Sequence, residues 1–576
     1  MAKQQRIYTH PTQPTCCIPN VDLLTLLFDT ELSVAQDDTL LHHAADNPDN
    51  KLTKADLRDL TQRIAHGLRH NYGVGANGPN KDVVTVISYG QVLVPAALYG
   101  VIAAGGVYSA ASPSSTVAEL HRQVDIGQSR LIICGHEHVD VASKAAAKAG
   151  LPQRNVLLLD STAGAWSLKS LADNIEVISK PDQKLPWQNI TDPQALKDSL
   201  IVILWSSGTT GLPKGVMLSH LNLVAETYIT ALSGRAFAAK EIEKGTFVPK
   251  QHSTLAHLPI SHIAGLFGYL IGPIYSGATV IWMRKYVWED LVKYLKQYRI
   301  TTWYTVPSIW LRIAKSSDIT LADLSGLEGV STGAAPMDGV LMKHVNSKVG
   351  SGNEKMIGQT WGLSETTGAV TAAQKDDPRG ADDTGSIGYI LPSVELRSVD
   401  DDYVDVEDPE KQEGELLIRS PLVTNGYFRN EGATREAFRD GWFCSGDVGI
   451  LRGGKFYVVD RKKELLKYKG LQVAPAELEN LLITHEQIKE AAVVGLPAPD
   501  DPGTDLPRAY IVPNEKSKIN EDEVKEFVKS KLAHYKQLRG GVVFVDEIPK
   551  NAIGKMLRRE LRERAKKETA NGRSRL

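Results

Sequence analysis

The sequence predicts an α/β protein of at least two domains, and three observations carry that reading. The 576 residues exceed what one hydrophobic core supports. Short apolar runs alternate with helix-like segments along much of the chain, the pattern of strands and helices in a largely parallel sheet. From about Gly385 to Asp460 the texture changes to short β-rich runs among Gly, Asp and Pro turns, which predicts a mostly antiparallel barrel or sheet.

The elements follow in order. Lys54–Leu68 has helical apolar spacing. Val83 to Ala118 is uncharged and long enough to consider as a membrane span, but Gly90, Pro95, Gly100, Gly105, Gly106 and Pro113 punctuate it. A strand at Val83–Ile87, a buried helix at Val92–Ala104 and a strand at Val107–Ala111 fit better, with Pro95 in the helix's first turn. Leu131–Cys134, Val156–Leu159 and Leu200–Trp205 read as further strands, and Glu415–Ile418 and Lys455–Val459 as strands of the β-rich region. Helices are predicted near Pro475–Ile483 and Glu521–Leu532. The main boundary is placed at Asp460–Arg461, giving domains 1–459 and 460–562; the charged and polar stretch Arg562 to Arg573 reads as a mobile tail, with 563–576 set as the polar tail segment.

Composition excludes some classes. Hydrophobic residues are 42% and charged residues 23%, a globular balance, and a net charge of -2 gives no global basic field for nucleic acid. The N-terminus lacks the apolar core of a secretory signal. Cys16, Cys17, Cys134 and Cys444 form no zinc or CxxC spacing, which reads as a reduced compartment.

The most informative segment runs from Trp205 to Gly215. Glycines at 208, 211 and 215 let backbone amides converge on an anion. Ser206, Ser207, Thr209 and Thr210 add hydroxyl donors, and Lys214 adds a point charge. Because the loop follows an apolar strand, it stands where α/β proteins bind ligands. A P-loop is the near rival, but Pro213 stands at its second glycine position and Gly215 where its magnesium-binding hydroxyl belongs.

These residues resemble the Ser-Ser-Gly-Thr-Thr-Gly-Leu-Pro-Lys-Gly signature of the adenylate-forming superfamily, which includes acyl-CoA synthetases, 4-coumarate-CoA ligases and luciferases. Further matches follow in the family's order from about Lys51 to Arg562. The resemblance implies a large N-terminal domain of two α/β sheet subdomains plus a distorted β-barrel, and a smaller mobile α+β C-terminal domain. It implies ATP, Mg²⁺ and coenzyme A as cofactor and co-substrates.

By resemblance, Gly358 to Glu365 is the adenine and magnesium segment, with Gln359, Thr360, Trp361 and Ser364 near the nucleotide and Glu365 holding Mg²⁺. Trp361 replaces the usual Tyr and keeps a face for the purine. Asp447, in Gly441 to Asp447, resembles the ribose carboxylate. Asp460 resembles the hinge, and Arg461 the residue that contacts ribose or phosphate. Lys467 and Gln472 resemble residues near the acyl-adenylate, and Lys469 and Gly470 border the coenzyme A tunnel. Lys555, in Pro549 to Arg559, matches the catalytic lysine.

Leu258 to Gly268 resembles the acyl-pocket lining, with His262 beside the carboxylate end and small residues at Ala264 and Gly268. Gly333 adds a further small lining residue, and Lys285 is placed with the substrate-binding set. Ala264 stands where plant coumarate ligases carry Tyr, so strict coumarate specificity is not implied. With no Lys or Arg in these lining stretches, the acid's tail reads as apolar: a medium-chain fatty acid, an aryl-alkanoic acid or a hydroxycinnamate.

The implied chemistry is attack of the carboxylate on the α-phosphate of ATP, then thiol attack on acyl-AMP, with rotation about Asp460 exchanging Lys555 for the Lys469-Gly470 face. Two other readings are loading of a carrier-protein thiol and a non-catalytic nucleotide sensor. No carrier domain is seen after Arg562, and intact Lys214, Glu365, Asp447 and Lys555 weigh against the sensor. The final Ser574-Arg575-Leu576 is a variant of the Ser-Lys-Leu address, so the expected location is the peroxisome and the expected partner its import receptor.

Overall fold

The computed structural model describes residues 5–161, 166–206, 213–246, 248–337, 339–349, 357–373, 384–469, 471–499, 501, 503–515, 517–550 and 556–573. The Lys54–Tyr72 helix begins on a Thr53–Asp56 capping box and ends on Gly73, whose φ of 65° closes it. It packs on the Val94–Ala103 helix closely enough that a Cβ at Gly100 would lie 2.4 Å from Ile64.

The uncharged stretch is strand Val83–Ile87, helix Val94–Ala103 and strand Val107–Ala111, every residue buried, with Pro95 in the first turn. The two strands are central in a sheet covered on both faces, which is why they carry no charge. Among the described residues no helix is long and apolar enough to cross a membrane.

That sheet has seven strands in the order Ser167–Ser170, Val156–Asp160, Ser129–Cys134, Val83–Ile87, Val107–Ala111, Leu200–Ser206, Lys214–Ser219. Its inner pairs are parallel and its two outermost pairs antiparallel. A second α/β unit holds a four-stranded sheet (Ser253–Ala256, Thr279–Trp282, Leu40–Ala44, Lys51–Thr53) and a parallel three-stranded one (Thr302–Thr305, Gly329–Thr332, Gly358–Gln359).

The β-rich region is a curled antiparallel sheet built on Glu395–Val399, Gly414–Arg419, Trp442–Arg452 and Lys455–Arg461, with the short Phe438–Arg439 at an edge. Register shifts at Glu415/Leu417 and Val448/Gly449 bend it.

From Leu466 onward the chain forms a smaller domain with core clusters of its own, around Leu478, Val493 and Ile511 on one face and Val494, Tyr510 and Leu561 on the other. Its sheet joins Ile488–Pro497, Asp505–Pro513 and Val542–Phe544, flanked by the helices Pro475–Ile483 and Glu521–Lys531. The expected polar tail differs: Arg562 to Arg573 continues a helix, Arg558–Arg573. Leu561 and Ala565, one turn apart, are buried on that sheet, a two-residue stripe that the surrounding charges obscure.

The two domains touch through the Pro475–Ile483 helix. Ile483 packs against a large-domain cluster that includes Trp303 and Trp310. Lys315, at the end of the Pro307–Lys315 helix, donates to the carbonyls of Ile483 at 2.9 Å and Ile488 at 2.8 Å.

Candidate active site

The glycine-rich loop is held by a strand pair. Leu200–Ser206 leads into it, Lys214–Ser219 leads out, and Ser206 and Lys214 are direct cross-strand partners. Ser207, Gly208, Thr209 and Thr210 lie outside the described residues. The outgoing strand also pairs with the segment around Tyr427: Met217 N–H donates to Gly426 O at 3.1 Å, and Phe428 N–H to Gly215 O at 2.7 Å.

Tyr427 is a residue of the candidate site that the sequence reading missed. Its ring lies under the Lys214 ammonium, 5.0 Å from centroid to Nζ. Its hydroxyl donates to Glu365 Oε1 at 2.9 Å. Burial, then the Glu365 carboxylate, push the phenol well above its ordinary value, so it stays a donor. No local motif announces this, because the partners lie far apart in sequence and meet only in the fold.

Glu365 sits in a single 3₁₀ turn, Ser364–Thr366, closed by Thr367 at φ 61°. The turn is braced from both sides. Thr424 N–H donates to Glu365 O at 2.8 Å, and Ala369 N–H donates to Glu226 Oε1 at 2.8 Å. Burial raises the Glu226 carboxyl well above the usual range. A Cβ on Gly368, at φ 137°, would stand 2.4 Å from that carboxyl, so glycine is required there.

Trp361, four residues before Glu365, reaches the ribose-loop candidate. Its indole Nε1–H donates to Asp447 Oδ2 at 2.8 Å. Arg461, cross-strand from Asp447, places Nε 3.4 Å from Oδ1. The segment 358–366 is therefore the spine of the site, tied to Asp447 and Arg461 at one end and to Tyr427 and Lys214 at the other. Thr360 N–H donates to Thr332 O at 2.9 Å, aligning this spine on the Gly329–Thr332 strand.

Three candidates have contacts that the sequence did not announce. Gln359 was expected near the nucleotide, but its amide is spent on backbone. Oε1 accepts from Met337 N–H at 2.7 Å, and Nε2 donates to Met337, Gly385 and Ser386 carbonyls at 3.2, 2.9 and 3.2 Å. Gly333 was expected to leave pocket volume; a Cβ there would meet the Tyr304 hydroxyl at 2.7 Å and Thr360 O at 3.0 Å, so its space is already filled. Lys285 is exposed, with Nζ 5.6 Å from the Tyr89 ring, beside a second cleft lined by Tyr89, Gln91, His136 and Arg284 rather than in the Leu258–Gly268 stretch.

In that stretch, His262 Nδ1 accepts from Ala264 N–H at 3.4 Å, starting the Ile263–Gly265 turn. Leu266–Ile271 continues as a π-helix, an irregularity that recurs at functional sites. A Cβ on Gly268 would meet nothing within 4 Å. Behind it, His257 is buried between Leu255 O and Thr305 Oγ1 (3.0 and 2.7 Å), and burial lowers its pKa to about 4, so it is neutral.

In the small domain, Lys467 and Gln472 are cross-strand partners on the exposed face of the Leu466–Tyr468/Leu471–Val473 hairpin. Lys469 forms the turn at φ 48°, and its N–H donates to Thr504 Oγ1 at 3.2 Å. Gly470 and Lys555 lie outside the described residues. Asp460 is buried; Oδ1 accepts from Arg461 N–H at 2.7 Å and Oδ2 from Ala476 N–H at 3.0 Å, capping the Pro475–Ile483 helix. Burial raises its pKa to about 6, against the pull of Arg558, which pairs with Glu464 and Glu479.

Comparison with known proteins identifies the family. The chain matches the family described as AMP-binding enzyme over residues 28–428, and the AMP-binding enzyme C-terminal domain over 477–555. A protein of Emericella nidulans provisionally named acyl-coenzyme A synthetase is 44% identical over 550 residues, covering 95% of this chain and 97% of that one. The 4-coumarate–CoA ligase 3 of Oryza sativa is 34% identical over 520 residues, covering 89% and 87%. The ATP-bound crystal structure of MatB from Rhodopseudomonas palustris superposes with TM-score 0.78 at 25% identity, covering 94% of this chain and 98% of that one. The chain belongs to the AMP-binding enzyme family and is an AMP-forming acid–thiol ligase.

Proposed function

We propose that this ligase joins a hydrophobic carboxylic acid, a medium-chain fatty acid or an aryl-alkanoic or hydroxycinnamic acid, to coenzyme A. The open space at Gly268, on the π-helix after His262, is the observation that carries the substrate class. A volume without a side chain, on a helix whose other residues include Leu266, Phe267 and Ile271, suits an apolar tail.

Two anions meet in the first step, the acid's carboxylate and the α-phosphate. Lys214 stands at the phosphate loop's exit, and Lys555 would supply the second cation. Glu365 fits a magnesium ion, being a buried carboxylate whose other contact among the described residues is the Tyr427 hydroxyl. Magnesium held by one carboxylate and substrate phosphates takes this form, and when bound it neutralises phosphate charge. Asp447 and Arg461 hold the ribose. For thiol attack, the reading places Lys469 and Gly470 at the pantetheine tunnel, brought there by rotation about Asp460.

The peroxisome remains the proposed location, on the strength of Ser574-Arg575-Leu576, which lies outside the described residues. A fluorescent fusion ending in this tripeptide should enter peroxisomes, and deleting the tripeptide should leave it diffuse; an unchanged pattern would end that proposal.

The test of the chemistry is a pyrophosphate-release screen over aliphatic and aryl acids, with and without coenzyme A, using acid labelled with oxygen-18. Label in AMP and thioester product are expected. Release without label in AMP would overturn the acyl-adenylate route, and activity confined to small polar acids would overturn the substrate class.

A further inference from the structure

Trp361 is more than a surface for a purine. Its indole N–H is buried, its residue is only 7% exposed, and its one donor is used on Asp447 Oδ2 at 2.8 Å. An indole has no acceptor, so this bond has a fixed direction. Asp447 is 6% exposed and takes Arg461 Nε at 3.4 Å on the other oxygen. Its backbone is fixed as well, with Asp447 N–H donating to Ser445 Oγ at 3.0 Å. Among the described residues each carboxylate oxygen thus has one side-chain neighbour and a further lone pair to offer. A Phe at 361 would keep an aromatic face but present no donor to Asp447.

We propose that Trp361 is a positioning residue for nucleotide recognition, its indole N–H setting the Asp447 carboxylate so that the two oxygens meet the ribose 2′- and 3′-hydroxyls together. The bond couples the adenine wall to the ribose contact in one rigid unit. Because 361 lies four residues before Glu365, the same spine then sets where the triphosphate starts relative to the Glu365 carboxylate. This rests on the reading that Asp447 takes the ribose.

The two roles open to Trp361, stacking and carboxylate positioning, predict different patterns. Loss of stacking weakens all adenine nucleotides alike. Loss of positioning weakens those nucleotides in proportion to their ribose hydroxyls. The experiment compares wild type, Trp361→Phe, Asp447→Ala and the double variant, with ATP and with 2′-deoxy-ATP, in pyrophosphate release with a saturating acid. Nucleotide binding is followed in parallel by thermal shift, which also reports folding.

In Trp361→Phe, KM for ATP should rise about 10-fold with kcat within about 3-fold, since one charge-assisted buried bond is lost. The preference of ATP over 2′-deoxy-ATP should shrink by a similar factor. In the Asp447→Ala background, adding Trp361→Phe should change KM by less than about 2-fold.

An equal loss for ATP and 2′-deoxy-ATP, or an undiminished loss in the Asp447→Ala background, would assign Trp361 to stacking alone and overturn the proposal. Unaltered KM in Trp361→Phe would overturn it too. Wild type that binds ATP and 2′-deoxy-ATP equally, with Asp447→Ala unchanged, would instead overturn the ribose assignment of Asp447 itself.

Discussion

Tyr427→Phe isolates a single atom at the centre of the site. The substitution removes the hydroxyl that donates to Glu365 Oε1 at 2.9 Å and keeps the ring beneath Lys214. Tyr427 is 8% exposed, so water has no easy route to replace the lost donor. A hydrogen bond to a charged acceptor is worth roughly 1.5–3 kcal/mol, and leaving the buried acceptor unpaired accounts for much of that. At about 1.4 kcal/mol per decade, kcat/KM for Mg·ATP should fall about 10- to 100-fold. Because Glu365 would be less well oriented, the magnesium concentration for half-maximal rate should rise with it. The assay is pyrophosphate release at fixed acid and ATP across a magnesium titration, with a melt to verify folding. Tyr427→Leu, which also removes the ring, should lose more. If Tyr427→Phe keeps the wild-type magnesium dependence and a rate within twofold, the Tyr427–Glu365 bond is packing and the reasoning fails.

Further predictions concern other parts of the site. Lys555→Ala should abolish pyrophosphate release from acid and ATP yet spare thioester formation from supplied acyl-AMP; equal loss in both assays would contradict its assignment. Gly268→Leu should cut rates on long or bulky acids at least 10-fold more than on short ones, read from the same screen, because the added side chain enters open space. Asp460 sets a pH dependence. Its folded pKa, about 6, exceeds that of an ordinary carboxyl because burial outweighs Arg558, so the folded state holds the proton more tightly than the unfolded chain. The stability this gives is full below about pH 4 and is lost as pH rises through about 6. Asp460→Asn, which cannot ionise, should show a flatter melting temperature than wild type between those values, and parallel curves would exclude Asp460 as the source.

Much of the architecture was legible because it is written in contiguous runs. Val83–Ile87, Val107–Ala111 and Pro475–Ile483 form with the bounds their apolar spacing predicts. The Arg558–Arg573 helix was not legible, since only Leu561 and Ala565 break its charge before Thr569 and their partners are in other segments. The site divides in the same way. Motif positions such as Asp447 and Glu365 carry a local signal. Tyr427 does not, because its importance lies in two side chains contributed by distant segments. Gln359 shows the converse: a motif position can be kept by the backbone it ties together. Gly333 makes a related point, for a small residue marks empty space only when no neighbour has taken it.

The Pro475–Ile483 helix is gripped at both ends by side chains of opposite sign. The Asp460 carboxylate meets its amino end at Ala476, and the Lys315 ammonium meets its carboxyl end at Ile483. Each charge opposes the helix macrodipole at the end it touches. The two grips differ in what a swing about Asp460 would do to them. The first lies on the axle and would survive; the second lies at the far end of the lever and would part. In the proposed rotation Lys315 would work as a hasp, closed in the arrangement seen here, its strength setting how readily the small domain leaves that arrangement.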